Sequence, residues 1–223
     1  MNYMWDKFNI PTFPSETIVF LDGEFRSDLS TAESLDIKAS KLPTHIIIQG
    51  GAKLPEKITL HKGAKVYLTA LITGGKNRIE IDAVGQGAKF SAGIHLTNKD
   101  AAEIEIIANH SADNTEIKAD IRFNAAHFSQ TVANAVANIG ANVKGAENSL
   151  NFWVLADKGV KHIRLSPNQF ISSAPKSAVH GASVERGSPA QITFLKEQGL
   201  NSDEANEALR EAFLHATFDH LPQ

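Results

Sequence analysis

Nine histidines give this 223-residue chain its widest scope for metal or acid–base chemistry. They stand at positions 45, 61, 95, 110, 127, 162, 180, 215 and 220. A zinc site on a helix needs two imidazoles four residues apart, as in His-Glu-x-x-His, and no pair has that spacing. Cys is absent, so the chain supplies no disulfide, no thiolate nucleophile and no Cys-ligated zinc or iron–sulfur site.

Other chemical motifs are equally incomplete. Gly74-Gly75-Lys76 and Gly85-Gln86-Gly87 have the residue types of phosphate loops but neither full spacing. They read as turns between strands. No Gly-x-Ser-x-Gly elbow is present, which leaves a serine hydrolase of that type without support. His180 draws attention because His180-Gly181-Ala182 stands just ahead of the clearest helical signals in the chain.

The elements that must position such residues begin with ordinary globular composition, 42% hydrophobic and 21% charged. The net charge of −3 and pI near 6.3 argue against nucleic acid or anionic lipid as partners. No stretch approaches the roughly 18 apolar residues of a membrane helix. MNYMWDKFNIPTF lacks the basic start and apolar run of a secretory signal, so the expected setting is the cytoplasm.

The prolines and aromatics of residues 1–16 predict an extended lead-in. Ile18–Phe25 then reads as strand, Asp-Gly turn, strand. Residues 30–42 suit either a short helix capped by Ser30 or Thr31 or a loop entering a strand. From Ile46 onward short apolar–polar–apolar units recur, as in Ile79-Glu80-Ile81 and Ile104-Glu105-Ile106. Period two means one buried face. Gly, Asn, Asp and Lys separate the units. Strands of about three to five residues follow from this, in a β-sandwich, jelly roll or parallel β-helix. The brevity of the units and the lack of Asn-Gly hairpin signals tilt the balance toward the β-helix, an irregular one. In residues 125–149, Asn134, Asn138 and Asn142 disfavour a helix and are expected in turns between strands.

Two helices close the chain. Ser188, Pro189 and Gln191 form a capping box with Pro at the first helical position, and Gly199 ends that helix. A second starts at Asn201 or Ser202 and runs to about Phe218. Ala205, Leu209, Ala212, Phe213 and Ala216 form one apolar stripe along it, and Phe194 and Leu195 of the first helix with Leu209 and Phe213 of the second are the four residues expected to bind a partner. A docking role on the β domain would use one face of such a hairpin and leave the other free. The expected organisation is a lead-in over 1–16, a β core over 17–174 and a helical region over 175–223.

The segment LADKGVKHIRLSPNQFISSAPKSAVHGASVERGSPAQITFLKEQGLNSDEANEALREAFL resembles the C-terminal part of the SufB/SufD family. The likeness lies in Pro167, the triplet at 180–182, Phe194-Leu195, Gln198-Gly199-Leu200 and Glu204-Ala205. IVFLDGEF is more loosely similar to the segment that opens the family's core domain. The resemblance implies a right-handed parallel β-helix with a C-terminal helical hairpin. It implies a non-catalytic scaffold subunit of iron–sulfur cluster assembly, paired through β-helix edges and carrying a SufC-type ATPase on its helices.

The same resemblance places His180 at a subunit interface, as a metal ligand toward a transient iron–sulfur cluster shared with a partner. Family members often carry Cys two positions before the triplet, where this chain has Ala178. That departure makes the expectation SufD-like, in a homodimer or a heterodimer with a SufB-like paralogue that supplies thiolates. Two rivals stand beside it: a β-helical enzyme acting on polysaccharide, which needs carboxylates converging on one face, and a dimeric interaction module without cluster chemistry.

Overall fold

The computed structural model describes residues 13–51, 53–125, 129–160 and 162–222, with backbone alone over 98–100. Most of the expected lead-in over 1–16 lies outside the described residues. The chain is mainly β and winds into a parallel β-solenoid of about six turns. The strands are β1 (Glu16–Leu21), β2 (Glu24–Phe25), β3 (Asp36–Ile37), β4 (Thr44–Gly50), β5 (Lys57–Leu60) and β6 (Lys65–Ala83). They continue with β7 (Lys89–His110), β8 (Glu116–Ala125), β9 (Gln130–Ile139), β10 (Glu147–Ala156), β11 (His162–Ile171) and β12 (Ser177–Glu185). Helices α1 (Pro189–Glu197) and α2 (Ser202–His215) follow, with a 3₁₀ turn at Ala216–Phe218.

Two walls face each other. The first stacks β1, β4, the start of β6, the start of β7, β8, β10 and β12. The second stacks β3, β5, the ends of β6 and β7, β9 and β11. All these pairings are parallel; only the β1–β2 hairpin is antiparallel. Its turn uses Asp22 and Gly23, both at positive φ, as the Asp-Gly signal requires.

Most of the strands are longer than three to five residues; β2, β3 and β5 are the short ones. β8, β9 and β10 have ten each, and β6 and β7 run 19 and 22 residues through the corner between walls. Gly74 and Gly75, both at positive φ, bend β6 there with a register shift and no intervening loop. The stretch 30–42 is a loop that enters β3, not a helix. Asn134 and Asn138 lie in β9 on its outward face; Asn142 alone of the three occupies a turn. Outward Asn is tolerated because its amide bonds along the stack: Asn138 donates to Asn109 at 2.8 Å and Asn109 to Asp82 at 2.6 Å.

Inward residues form columns. Ile18, Ile46, Leu68, Ala92, Ala119 and Leu150 stack along the first wall. Phe90, Phe123 and Phe152 are fully buried, and Ala133, Ala135 and Ala137 of β9 share their cluster, the small residues leaving volume for the rings. The helical region drawn from 175 begins with a strand: β12 is the last rung of the solenoid, and helix starts only at Pro189.

Candidate functional site

The two ends of the solenoid differ. At the start, the free edge of β1 is covered by the loop after β2. Thr31 Oγ1 and Ser30 Oγ accept from the Thr17 and Val19 amides at 2.7 and 3.0 Å. The amides of Thr31 and Arg26 donate to the Thr17 and Val19 carbonyls at 2.8 and 2.9 Å. An edge so satisfied cannot recruit another strand. At the far end, among the described residues, β12 pairs only with β10 and β11 only with β9. Phe170, Ile171, Val179 and Val184 on these strands are 43–63% exposed. Pro167, within β11, has no amide to offer, a usual feature of edge strands.

His180 belongs to this open end. It pairs with Leu150, so it continues the inward column of Ile18, Ile46, Leu68, Ala92 and Ala119. In the last rung no described residue covers that column, and His180 is exposed. Its imidazole therefore stands at the mouth of the solenoid, where a second sheet laid on the end would meet it. The triplet that the sequence sets just ahead of the helices lies in the middle of a strand, β12.

The helical hairpin stands on the flank of the solenoid, not on its end. Both helices carry complete capping boxes, Ser188 with Gln191 and Asn201 with Glu204. Leu209 and Ile192 close over Gly187, where a β-carbon would come within 3.0 Å of the Leu209 methyl. Phe213 faces the outer surface of the first wall. Its ring meets His95 edge-on at 6.3 Å, and the Arg122 guanidinium lies 5.2 Å over it. Arg210 grips Asp157, just past β10, through two contacts of 2.9 and 3.1 Å. Of the four residues expected to bind a partner, Leu209 and Phe213 thus hold the hairpin together and to the wall. Leu195 is half-buried, and Phe194, 60% exposed, is the one directed outward. α1 has no buried residue.

The segment after α2 forms a clasp that sequence reasoning missed. Phe218 and Leu221 bury against Ile47 and Leu71. The Thr217 carbonyl oxygen would lie 1.8 Å from a β-carbon at Gly93, so only glycine admits it. An isolated Gly within the apolar alternation Ala92-Gly93-Ile94 was the signal for such close approach.

His220 Nδ1 donates to the Thr217 carbonyl at 2.8 Å, which leaves its Nε2 as an acceptor. The Thr69 hydroxyl, 3.5 Å away, donates to it and accepts from His45 Nε2 at 2.9 Å. Phe13 stacks on His45 at 5.0 Å. Burial, and then the His220 charge, push His45 down to about 3. Burial lowers His220 to about 4. Burial and the Arg122 charge lower His95 to about 4. These three imidazoles are neutral structural groups near neutral pH.

Carboxylates do gather on the outward face of the second wall, but each is engaged. Asp82 meets Lys57 at 2.6 Å, Glu80 meets Arg78 at 3.2 Å, Glu105 meets Arg78 at 3.0 Å and Glu103 meets Lys76 at 3.3 Å. Burial raises the Asp82 carboxyl, yet hydrogen bonds from Lys57 and Asn109 outweigh it and hold it low. Such pairing makes a ladder, whereas hydrolysis of a glycoside uses an acid kept protonated beside a second carboxylate. Among the described residues no three His, Asp or Glu side chains assemble into a metal-holding group. His180 faces the open end, and with no Cys in the chain any cluster there must take its thiolates from elsewhere.

A scan against protein-family models finds no match to this chain, and a search of curated proteins finds none either. No helix among the described residues is long and apolar enough to cross a membrane.

Proposed function

We propose that this chain is a SufD-like scaffold subunit of iron–sulfur cluster assembly, paired through the open end of its solenoid and carrying a SufC-type ATPase on α1. The observation that supports this most is the asymmetry of the ends. The β1 edge is closed by hydrogen bonds from one loop, the Ala32 amide joining those of Thr31 and Arg26, while β11 and β12 present unpaired edges and four exposed apolar side chains. A sheet edge of that kind accepts another sheet. His180 stands at the seam. Its imidazole serves as one ligand to iron whose thiolate ligands come from a SufB-like partner. The cluster is cargo, held between subunits and passed on.

Phe194 is the natural anchor for the ATPase, because aromatic side chains on an otherwise solvated helix dominate binding energy. Co-expression with a SufC-type ATPase and a Cys-bearing SufB-like protein tests the reading. A ternary complex that loses the ATPase in Phe194→Asp is the expected result. Failure of the wild-type chain to hold either protein overturns it.

The absence of Cys favours one second reading, an interaction module that keeps the pairing and has no cluster role. Reconstitution separates the two. If His180→Ala leaves the iron and sulfide content of the complex unchanged, the module reading holds.

A further inference from the structure

We infer that Arg122 is a positioning residue that couples the helical hairpin to the open edge of the solenoid. Its guanidinium lies between two rings, 5.2 Å from Phe213 of α2 and 5.6 Å from Trp153 of β10. Planar guanidinium stacks on aromatic faces, and an ammonium does not reproduce the arrangement. The outward column in which it stands runs His95, Arg122, Trp153, Ser183. Ser183 belongs to β12, so the column ends on the unpaired edge.

The contact is built from stacking more than from hydrogen bonds. Arg122 Nε is buried with no hydrogen-bond partner. Trp153, in contrast, is tied to the wall, its Nε1 donating to Asp120 at 3.3 Å, and Asp120 also accepts from Asn151 at 3.0 Å. Asn151 in turn meets Gly181 of β12 across the ladder, where a β-carbon would come within 3.0 Å of its Oδ1. Movement of Phe213 therefore acts on Arg122, from Arg122 on Trp153, and from there on the two strands beside the seam. The Arg210–Asp157 pair fixes the hairpin at the far end of β10 and makes a pivot. The functional meaning rests on the proposal above: a partner that shifts α1 and α2 would reshape the edge that carries His180. The coupling itself is a property of the chain alone.

Hydrogen exchange on the full chain tests it, read over 147–156 and 177–185 in the wild type, Phe213→Leu, Arg122→Lys and the double variant. Each single change is expected to speed exchange in both segments by about fivefold or more, the lower end of ordinary coupling between sites. The double variant is expected to be no faster than the faster single, because both remove one linkage. Emission of Trp153 in a Trp5→Phe background gives a second readout, shifted alike by all three variants. Effects that multiply, or a Phe213→Leu response confined to α1 and α2, overturn the inference. Neither result touches ATPase binding, which co-expression decides separately.

Discussion

The carbonyl oxygen of Thr217 occupies the space that a β-carbon on Gly93 would need, 1.8 Å from its ideal position. The end of the chain is thereby seated on the middle of the first wall, and His220 is brought above Thr69. Gly93→Ala forces a backbone group to move. Overpacking of this kind costs about 1–3 kcal/mol. The expected outcome is a lowered denaturation midpoint with faster amide exchange over 216–221 and near-wild-type exchange at the second wall. An unchanged midpoint would show that the clasp adapts at no cost.

Acid should loosen the same clasp. His45, His95 and His220 ionise in the fold only near 3 to 4, against about 6.5 in the unfolded chain. Between those values the unfolded state binds more protons, so stability rises with pH there. It is fully present above about pH 6.5 and is lost progressively as pH falls toward 4. Each imidazole contributes about 1–2 kcal/mol of loss between pH 6.5 and 5. Urea midpoints at pH 7.5 and 5.0 measure this. His45→Gln should be less stable at pH 7.5 and show a shallower pH slope; a slope equal to the wild type's would contradict the assignment.

Two phenylalanines on neighbouring helices should separate partner binding from folding. Phe194 is solvent-exposed on a helix with no buried residue, so Phe194→Asp should leave thermal stability within about 0.5 kcal/mol. Phe213 lies between His95 and Arg122, so Phe213→Asp should cost about 2 kcal/mol or more. Thermal melts decide it. Loss of a partner in Phe213→Asp alone would report the undocked hairpin and not the docking surface.

The open edge makes its own prediction. Val184 and Phe170 are exposed on the last rung, so Val184→Lys and Phe170→Lys should not disturb the monomer. A lysine on an edge strand opposes pairing with another sheet. Light scattering across a concentration series, with and without a SufB-like partner, should show the paired species reduced at least about tenfold in affinity, the effect of roughly 1.4 kcal/mol. Pairing that survives both changes would place the interface elsewhere.

Much of the solenoid was determined by the sequence alone. Apolar–polar alternation such as Ile104-Glu105-Ile106 dictates strands with one buried face, and the capping residues Ser188 and Asn201 dictate where two helices start. These are local signals, set within a few residues. The number of rungs was less legible, because strands lengthened through Gly74-Gly75 look like two short strands separated by a turn. Only the tertiary structure decided that His180 extends an inward column to an uncovered end, and that Phe213 and Leu209 face the protein while Phe194 faces solvent. It alone joined His220 to Thr69, 151 residues apart in the chain. Periodicity states which side of an element is apolar; which partner covers that side depends on contacts between distant segments, and no local pattern records them.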